Sequence, residues 1–146
     1  MAEAEDLDAL VIPSSVKLAG GILIGAGVCI GISGLQAMML QTSGVYRLVG
    51  PVAVMLSGGC VFTGWGVVRG RARPAMFGVG LGAVTGLFAL TWVVLAFMHG
   101  VISLISIAVL PLSTVATMLT ARGLKEVRRI DEARERLRAQ GLDAGL

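Results

Sequence analysis

The middle of this chain almost lacks charged residues. All nine acidic residues lie outside residues 9–125. Between Lys17 and Arg122, the charged residues are four arginines: Arg47, Arg69, Arg71 and Arg73. Over the whole chain of 146 residues, 55% of the residues are hydrophobic and only 14% are charged. A tract this long and this poor in charge cannot present the polar surface of a soluble domain, so the sequence predicts an integral membrane protein.

Four apolar stretches in this tract are each long enough to cross a bilayer as a helix, which needs about 20 residues. We place these stretches at about 16–40, 45–68, 74–98 and 101–121. The connections between them are short, so consecutive helices are expected to run antiparallel and to pack as neighbours. The fold prediction is an all-α integral membrane protein with an antiparallel four-helix bundle at 16–121. An acidic segment at 1–15 precedes the bundle, and a charged helical tail at 122–146 follows it.

The distribution of basic residues predicts the orientation of the spans, because Lys and Arg are concentrated in the cytoplasmic loops of membrane proteins. The second connection and the tail contain Arg69, Arg71, Arg73, Arg128 and Arg129. The first and third connections offer only Arg47 and His99. Both termini are therefore expected on the cytoplasmic side of a bacterial cytoplasmic (inner) membrane. We expect the five arginines of the basic side to contact cytoplasmic partners or anionic lipid headgroups.

Glycines recur at helical spacing in the first and third spans. In lipid, small residues let helix backbones approach closely, so they mark the surfaces where helices meet. The predicted contact residues are Gly20, Gly27, Gly31 and Gly34 in the first span and Gly78, Gly82 and Gly86 in the third. Gly21 and Gly25 form a second strip of small residues on the first span. Two strips on one helix predict a central position in the fold or an oligomer, and Gly27→Leu or Gly31→Leu is expected to disrupt assembly.

Polar side chains within the spans give two further predictions. Gln36 needs a hydrogen-bond partner in hydrocarbon, so we expect it to make a specific contact, either within the bundle or between protomers. The fourth span contains a stripe of hydroxyls that includes Ser103, Ser106, Ser113 and Thr117. Hydroxyls in membrane helices commonly bond to their own backbone or to a neighbouring helix. The alternative is that this stripe lines a water-filled path through an oligomer.

The tail that begins at residue 122 alternates charge at helical spacing. Asp131 and Arg134, for example, are three residues apart, a spacing that supports an isolated helix. The same helix has a thin apolar stripe formed by Leu124, Val127, Ile130, Ala133 and Leu137. Two interpretations stay open: a solvated helix that extends the fourth span, or a helix that docks its stripe on a partner or on the headgroup layer.

The sequence predicts neither an enzyme nor a cofactor or metal site. The spans contain no carboxylate, which argues against a carrier that binds protons on its own acidic residue. GISG at 31–34 resembles the GxSG around the serine of rhomboid-type intramembrane proteases. However, Ser33 is expected roughly 10 Å deep, whereas His99, the single histidine, is expected at the membrane surface. Ser33 is therefore predicted to pack within the glycine strip.

These predictions favour a non-enzymatic polytopic membrane protein that associates with itself or with partners in a membrane assembly. Membrane lipids are its other expected contacts, and nucleic acid is not, because the basic residues flank apolar spans. The competing interpretation is an oligomeric pore or carrier for a neutral or anionic solute, lined by the hydroxyls of the fourth span.

Overall fold

The computed structural model describes residues 11–40, 46–98 and 104–139 of the chain. The helices are α1 (Ser14–Leu40), α2 (Tyr46–Val68), α3 (Ala72–Met98) and α4 (Leu104–Ala139). Each of the four is long and apolar enough to span a membrane, and the described residues contain no strand. The prediction of an all-α protein with four helices of membrane-spanning length and hydropathy is confirmed.

A glycine ends α2 and allows the tight turn into α3. Gly70 has a φ of +66°, which places it in the left-handed region that side chains disfavour. Its N–H donates to the Val67 carbonyl oxygen at 2.9 Å, and the Arg71 N–H donates to the Gly66 carbonyl oxygen at 3.1 Å. This pair of bonds satisfies two of the last carbonyl groups of α2, as in a Schellman cap. Only residues 69–71 then separate the two helices.

The last helix is longer than one membrane span. α4 has 36 residues, which corresponds to about 54 Å, whereas the hydrocarbon core of a bilayer is about 30 Å thick. The predicted fourth span therefore continues into the tail without a break. Gly123 does not end the helix but faces α1, where an added Cβ would lie 3.0 Å from Val16 Cγ2. The additional turns of α4 reach the turn between α2 and α3.

Each helix packs chiefly on two neighbours. α1 contacts α2 and α4, and α3 contacts the same two helices. The α1–α2 contact is the most extensive of the four and the α2–α3 contact is the least extensive. Close approaches join Gly20 to Gly64 and Gly34 to Gly50, so residue numbers rise along α1 as they fall along α2. The helices thus surround a narrow common core.

Small and branched side chains fill this core in three layers. One layer lies at the basic end of the bundle, the end that carries Arg69, Arg71 and Arg73 at the α2–α3 turn. This layer contains Val16, Val67, Ala72, Ala75 and Val127. The middle layer contains Leu23, Cys60 and Ala116, and the far layer contains Ile30, Ala53, Ala89 and Val109. Large apolar side chains lie outside instead: Met55, Phe62, Phe77 and Phe97 are between 73% and 78% exposed. Such a surface suits hydrocarbon and not water, as expected for a membrane protein.

Candidate functional site

A seam of glycines joins α1 to α2. The four glycines predicted in the first span all face α2: Gly20, Gly27, Gly31 and Gly34. A Cβ added to Gly27 would lie 2.8 Å from Cys60 Cβ, and one added to Gly34 would lie 2.8 Å from Ala53 Cβ. Carbon atoms prefer separations of about 3.5–4.0 Å, so a side chain at either position would force the helices apart. This seam lies within one chain, so its glycines act first on the fold.

A second seam, between α3 and α4, brings glycines against serine and threonine side chains. A Cβ added to Gly82 would meet the Thr117 hydroxyl, and one added to Gly86 would lie 3.3 Å from Ser113 Oγ. A Cβ added to Gly78 would lie 3.4 Å from Leu23 Cδ2 and 3.7 Å from the Thr120 methyl carbon Cγ2. Each hydroxyl donates to a carbonyl oxygen of α4 itself: Ser113 to Leu110 at 3.0 Å, Thr117 to Ser113 at 2.7 Å and Thr120 to Ala116 at 2.7 Å. Ser113 is fully buried. Two of the predicted pore-lining residues, Ser113 and Thr117, therefore lie in a helix contact; Ser103 and the side chain of Ser106 lie outside the described part of the chain.

A buried polar contact connects α2 to α3. Cys60 Sγ and Thr85 Oγ1 are 3.3 Å apart, and both side chains are fully buried. A cysteine within an apolar stretch, such as Cys60, is expected to behave as a small hydrophobic residue. Nothing in the spacing of Cys60 and Thr85 marks them as partners, because they are 25 residues apart on different helices.

The outward face of α1 differs from its seam. A Cβ added to Gly21 or Gly25 would meet no atom within 4 Å. Gln36 is exposed and lies eleven residues after Gly25, a separation of about 20° around a helix with 3.6 residues per turn. Leu18, which is 59% exposed, lies on the same side. This outward α1 face, formed by Leu18, Gly21, Gly25 and Gln36, is available to another helix.

Two charged side chains of α4 hold the turn between α2 and α3. Asp131 Oδ2 accepts a hydrogen bond from the Ala72 N–H at 3.1 Å, and Arg134 Nη1 donates to the Gly70 carbonyl oxygen at 3.4 Å. A carboxylate at the first N–H groups of a helix satisfies an unpaired donor and interacts favourably with the helix dipole. Asp131 and Arg134 are thus tertiary contacts of the turn, which their spacing of three residues did not indicate.

The five arginines predicted as a basic contact surface lie in three places: Arg69 and Arg71 in the α2–α3 turn, Arg73 in the first turn of α3, and Arg128 and Arg129 on α4. Arg69 places its guanidinium 5.0 Å from the centroid of the Trp65 ring, a cation–π contact. Arg128 Nη2 lies 3.3 Å from Met76 Sδ. The other three, Arg71, Arg73 and Arg129, are exposed. Positive charge is therefore concentrated around the start of α3.

The apolar stripe of the tail packs on the same chain. Four of its five residues are buried: Val127, Ile130, Ala133 and Leu137. Val127 belongs to the core layer that contains Val67 from α2, and Ile130 Cγ2 lies 3.7 Å from the position of an added Cβ at Gly70. The tail helix is not fully solvated. Its stripe covers the basic end of the bundle, and its charged face remains accessible.

A small cavity of about 20 Å³ lies in the far half of the bundle, lined by Ile30, Ser33, Phe88, Trp92 and Val109 among others. The Ser33 hydroxyl oxygen is buried there without a hydrogen-bond partner. This volume corresponds to about one water molecule, so the cavity cannot accept an organic substrate. Ser33 faces the interior beside the glycine seam, and His99 lies outside the described residues.

No group of three or more His, Cys, Asp and Glu side chains that could bind a metal ion occurs in residues 11–40, 46–98 and 104–139. Neither models of protein families nor curated proteins nor solved structures match this chain. The features of this chain that bear on its function are therefore the helix seams, the outward α1 face and the basic end.

Proposed function

We propose that this chain is a non-enzymatic component of a membrane assembly and that it associates with further copies of itself through the outward α1 face. The observation that carries the proposal is the difference between the two glycine strips of α1. The seam strip is filled by α2, whereas Gly21 and Gly25 face open space. A helix surface with small residues is one on which a second helix can pack closely in lipid.

The proposed arrangement in the membrane is an antiparallel four-helix bundle in a bacterial inner membrane. The order of the α1–α2 and α3–α4 contacts supports antiparallel neighbours, because residue numbers rise along one helix as they fall along the other. The concentration of arginine around the start of α3 supports a cytoplasmic location for this end and for both termini. The tail helix would then lie at the cytoplasmic surface, where its charged face can meet partners or headgroups.

Gln36 gives the proposed interface a specific contact. It is exposed on α1, one turn before the helix ends at Leu40. An amide in or near hydrocarbon is stabilised by about 1 kcal/mol when it bonds to a neighbouring helix. In a twofold symmetric pair, each Gln36 can donate to its counterpart and accept from it. The glycines would provide the close approach and the amides the specificity.

Association between differently labelled copies in lipid vesicles, measured by energy transfer, tests the proposal. Gly25→Leu should abolish most of the energy transfer. The leucine side chain would occupy the space that is open at Gly25 and would keep the α1 helices of two copies apart. Gln36→Leu should weaken association about fivefold, the factor that corresponds to about 1 kcal/mol. The matched control is Gly58→Leu on α2, because Gly58 is exposed and, as at Gly25, an added Cβ would meet nothing within 4 Å.

The control should associate as the unchanged protein does. Equal effects of Gly25→Leu and Gly58→Leu would remove the basis for this interface. A strictly monomeric unchanged protein would exclude self-association, and the outward α1 face would then be assigned to a different membrane partner.

The competing function, a pore or carrier lined by α4, finds less support in the geometry. Ser113 is fully buried, and its Oγ lies 3.3 Å from the position of an added Cβ at Gly86. Thr117 faces Gly82 in the same seam. A water-filled path along these hydroxyls would require α3 and α4 to separate, so cysteines at Ser113 and Thr117 are expected to resist water-soluble thiol reagents.

A further inference from the structure

A groove opens on the outer surface between α2 and α3, near the basic end of the bundle. Its volume is about 620 Å³, and its walls include Gly59 and Phe62 of α2 and Phe77, Gly80 and Arg73 of α3. The two phenylalanines are 75% and 73% exposed and form its rims. Among the four helix contacts that form the bundle, that between α2 and α3 is the least extensive, which leaves this space between them.

The floor of the groove is formed by small residues and one leucine. A Cβ added to Gly59 would lie 2.9 Å from Leu81 Cδ2, so the two helices touch there. A Cβ added to Gly80 would meet no atom within 4 Å. Glycine at position 80 therefore contributes to the width of the groove, and a large side chain at this position would fill it.

A positive charge closes the groove at one end. Arg73 lies in the first turn of α3, lines the groove and is exposed. The structure assigns it no hydrogen bond or ion pair with any residue of the described ranges, in contrast to Arg69, which stacks on Trp65. A planar guanidinium with free N–H groups matches the oxygens of a phosphate in a bidentate geometry.

We infer that this groove binds one acyl chain of an anionic phospholipid, with the lipid phosphate on Arg73. An apolar groove that ends at a cation beside the membrane surface is complementary to such a molecule. Basic pockets between membrane helices are known to bind anionic headgroups. A second copy of the spans fits less well. The acidic residues of the chain lie within 3–8 and 126–143, so the apolar segments of another copy that could fill the groove carry no carboxylate for Arg73.

Selectivity should come from the headgroup and the shape of the groove. An acyl chain gains little by leaving bulk lipid for the groove, because both surroundings are apolar. The phosphate and the net charge of the lipid therefore determine which lipid is retained. The inference rests on the proposed membrane location, but it does not require self-association through α1.

The test is native mass spectrometry of the protein in neutral detergent, titrated with phosphatidylglycerol or with phosphatidylcholine of the same acyl chains. The unchanged protein should retain phosphatidylglycerol in preference. Arg73→Gln should weaken this binding about fivefold, the factor for about 1 kcal/mol from one arginine near an anionic surface. Arg122→Gln is the control, because Arg122 is exposed on α4, one residue before the Gly123 that faces Val16 of the basic-end layer, and does not line the groove.

A second pair of variants tests the chain-binding part. Gly80→Leu should reduce the number of bound lipids, whereas Gly58→Leu, an equally open position outside the groove, should not. Circular dichroism should show unchanged helix content for both variants. Equal affinity for the two lipids, equal effects of the two arginine substitutions, or unchanged lipid retention in Gly80→Leu would each overturn the inference. A change of oligomeric state in Gly80→Leu without loss of lipid would assign the groove to a second copy and would also overturn it.

Discussion

Replacement of Gly27 by alanine should destabilise the protein, although alanine is the better helix former. In a helix interior, Gly→Ala normally stabilises by about 0.5–1 kcal/mol. At Gly27, however, the new Cβ would lie 2.8 Å from Cys60 Cβ and 3.1 Å from the Ser57 carbonyl oxygen. Because the second contact is with backbone, a rotamer change cannot relieve it, and α1 and α2 must separate.

Overpacking of this kind costs about 1–3 kcal/mol. The matched substitution is Gly58→Ala on α2, where the new Cβ would meet nothing within 4 Å and only the helix-forming gain applies. The two variants should therefore differ by about 1–3 kcal/mol in unfolding free energy. This difference corresponds to about a 5- to 150-fold change in the folding equilibrium.

Unfolding can be followed by circular dichroism while a denaturing detergent is added to the protein in mild detergent micelles. Fluorescence of Trp65 and Trp92 gives a second signal. Size-exclusion chromatography should first establish that both variants have the same oligomeric state, so that only the fold is compared. If Gly27→Ala is as stable as Gly58→Ala or more stable, the close α1–α2 seam is refuted.

Two further substitutions address the other contacts of the bundle. Asp131→Ala should expose the start of α3 by removing the acceptor for the Ala72 N–H, at a cost of about 0.5–2 kcal/mol, and hydrogen exchange of the first turn of α3 should accelerate. Glu132→Ala removes a neighbouring exposed charge and should leave that exchange unchanged; equal acceleration in both would contradict the cap. Gly82→Ala should lower the stability of the α3–α4 seam, because the new methyl group would meet an α4 hydroxyl. Gly80→Ala, at an open position, should not, and equal unfolding midpoints for the pair would argue against the seam.

The number of spans could be derived from the sequence because hydropathy and charge are properties of each segment by itself. A stretch of about 20 uncharged apolar residues is stable in a bilayer only as a helix that satisfies its own backbone hydrogen bonds. Whether a segment spans the membrane therefore does not depend on which helices it packs against. The sequence likewise places Arg69, Arg71 and Arg73 between the second and third spans and Arg128 and Arg129 in the tail, because these positions depend only on the distance to the nearest span.

The packing role of each glycine could not be derived from the sequence in the same way. Gly25 and Gly27 are chemically identical and two residues apart, yet Gly25 faces open space and Gly27 touches Cys60. Their spacing of about 200° around the helix shows only that they lie on different faces. Which face meets α2 depends on how the four helices pair, and that arrangement sets the role of each glycine.

The charged residues of the tail show the same difference between what is local and what depends on tertiary packing. The sequence by itself determined that Asp131 and Arg134 lie on a helix, because alternating charge at this spacing stabilises one locally. Only the tertiary structure brings them to Ala72 and Gly70, about 60 residues earlier in the chain. The physical reason is that helix formation depends on neighbours within one turn, whereas a cap on another helix depends on the packing of the whole bundle.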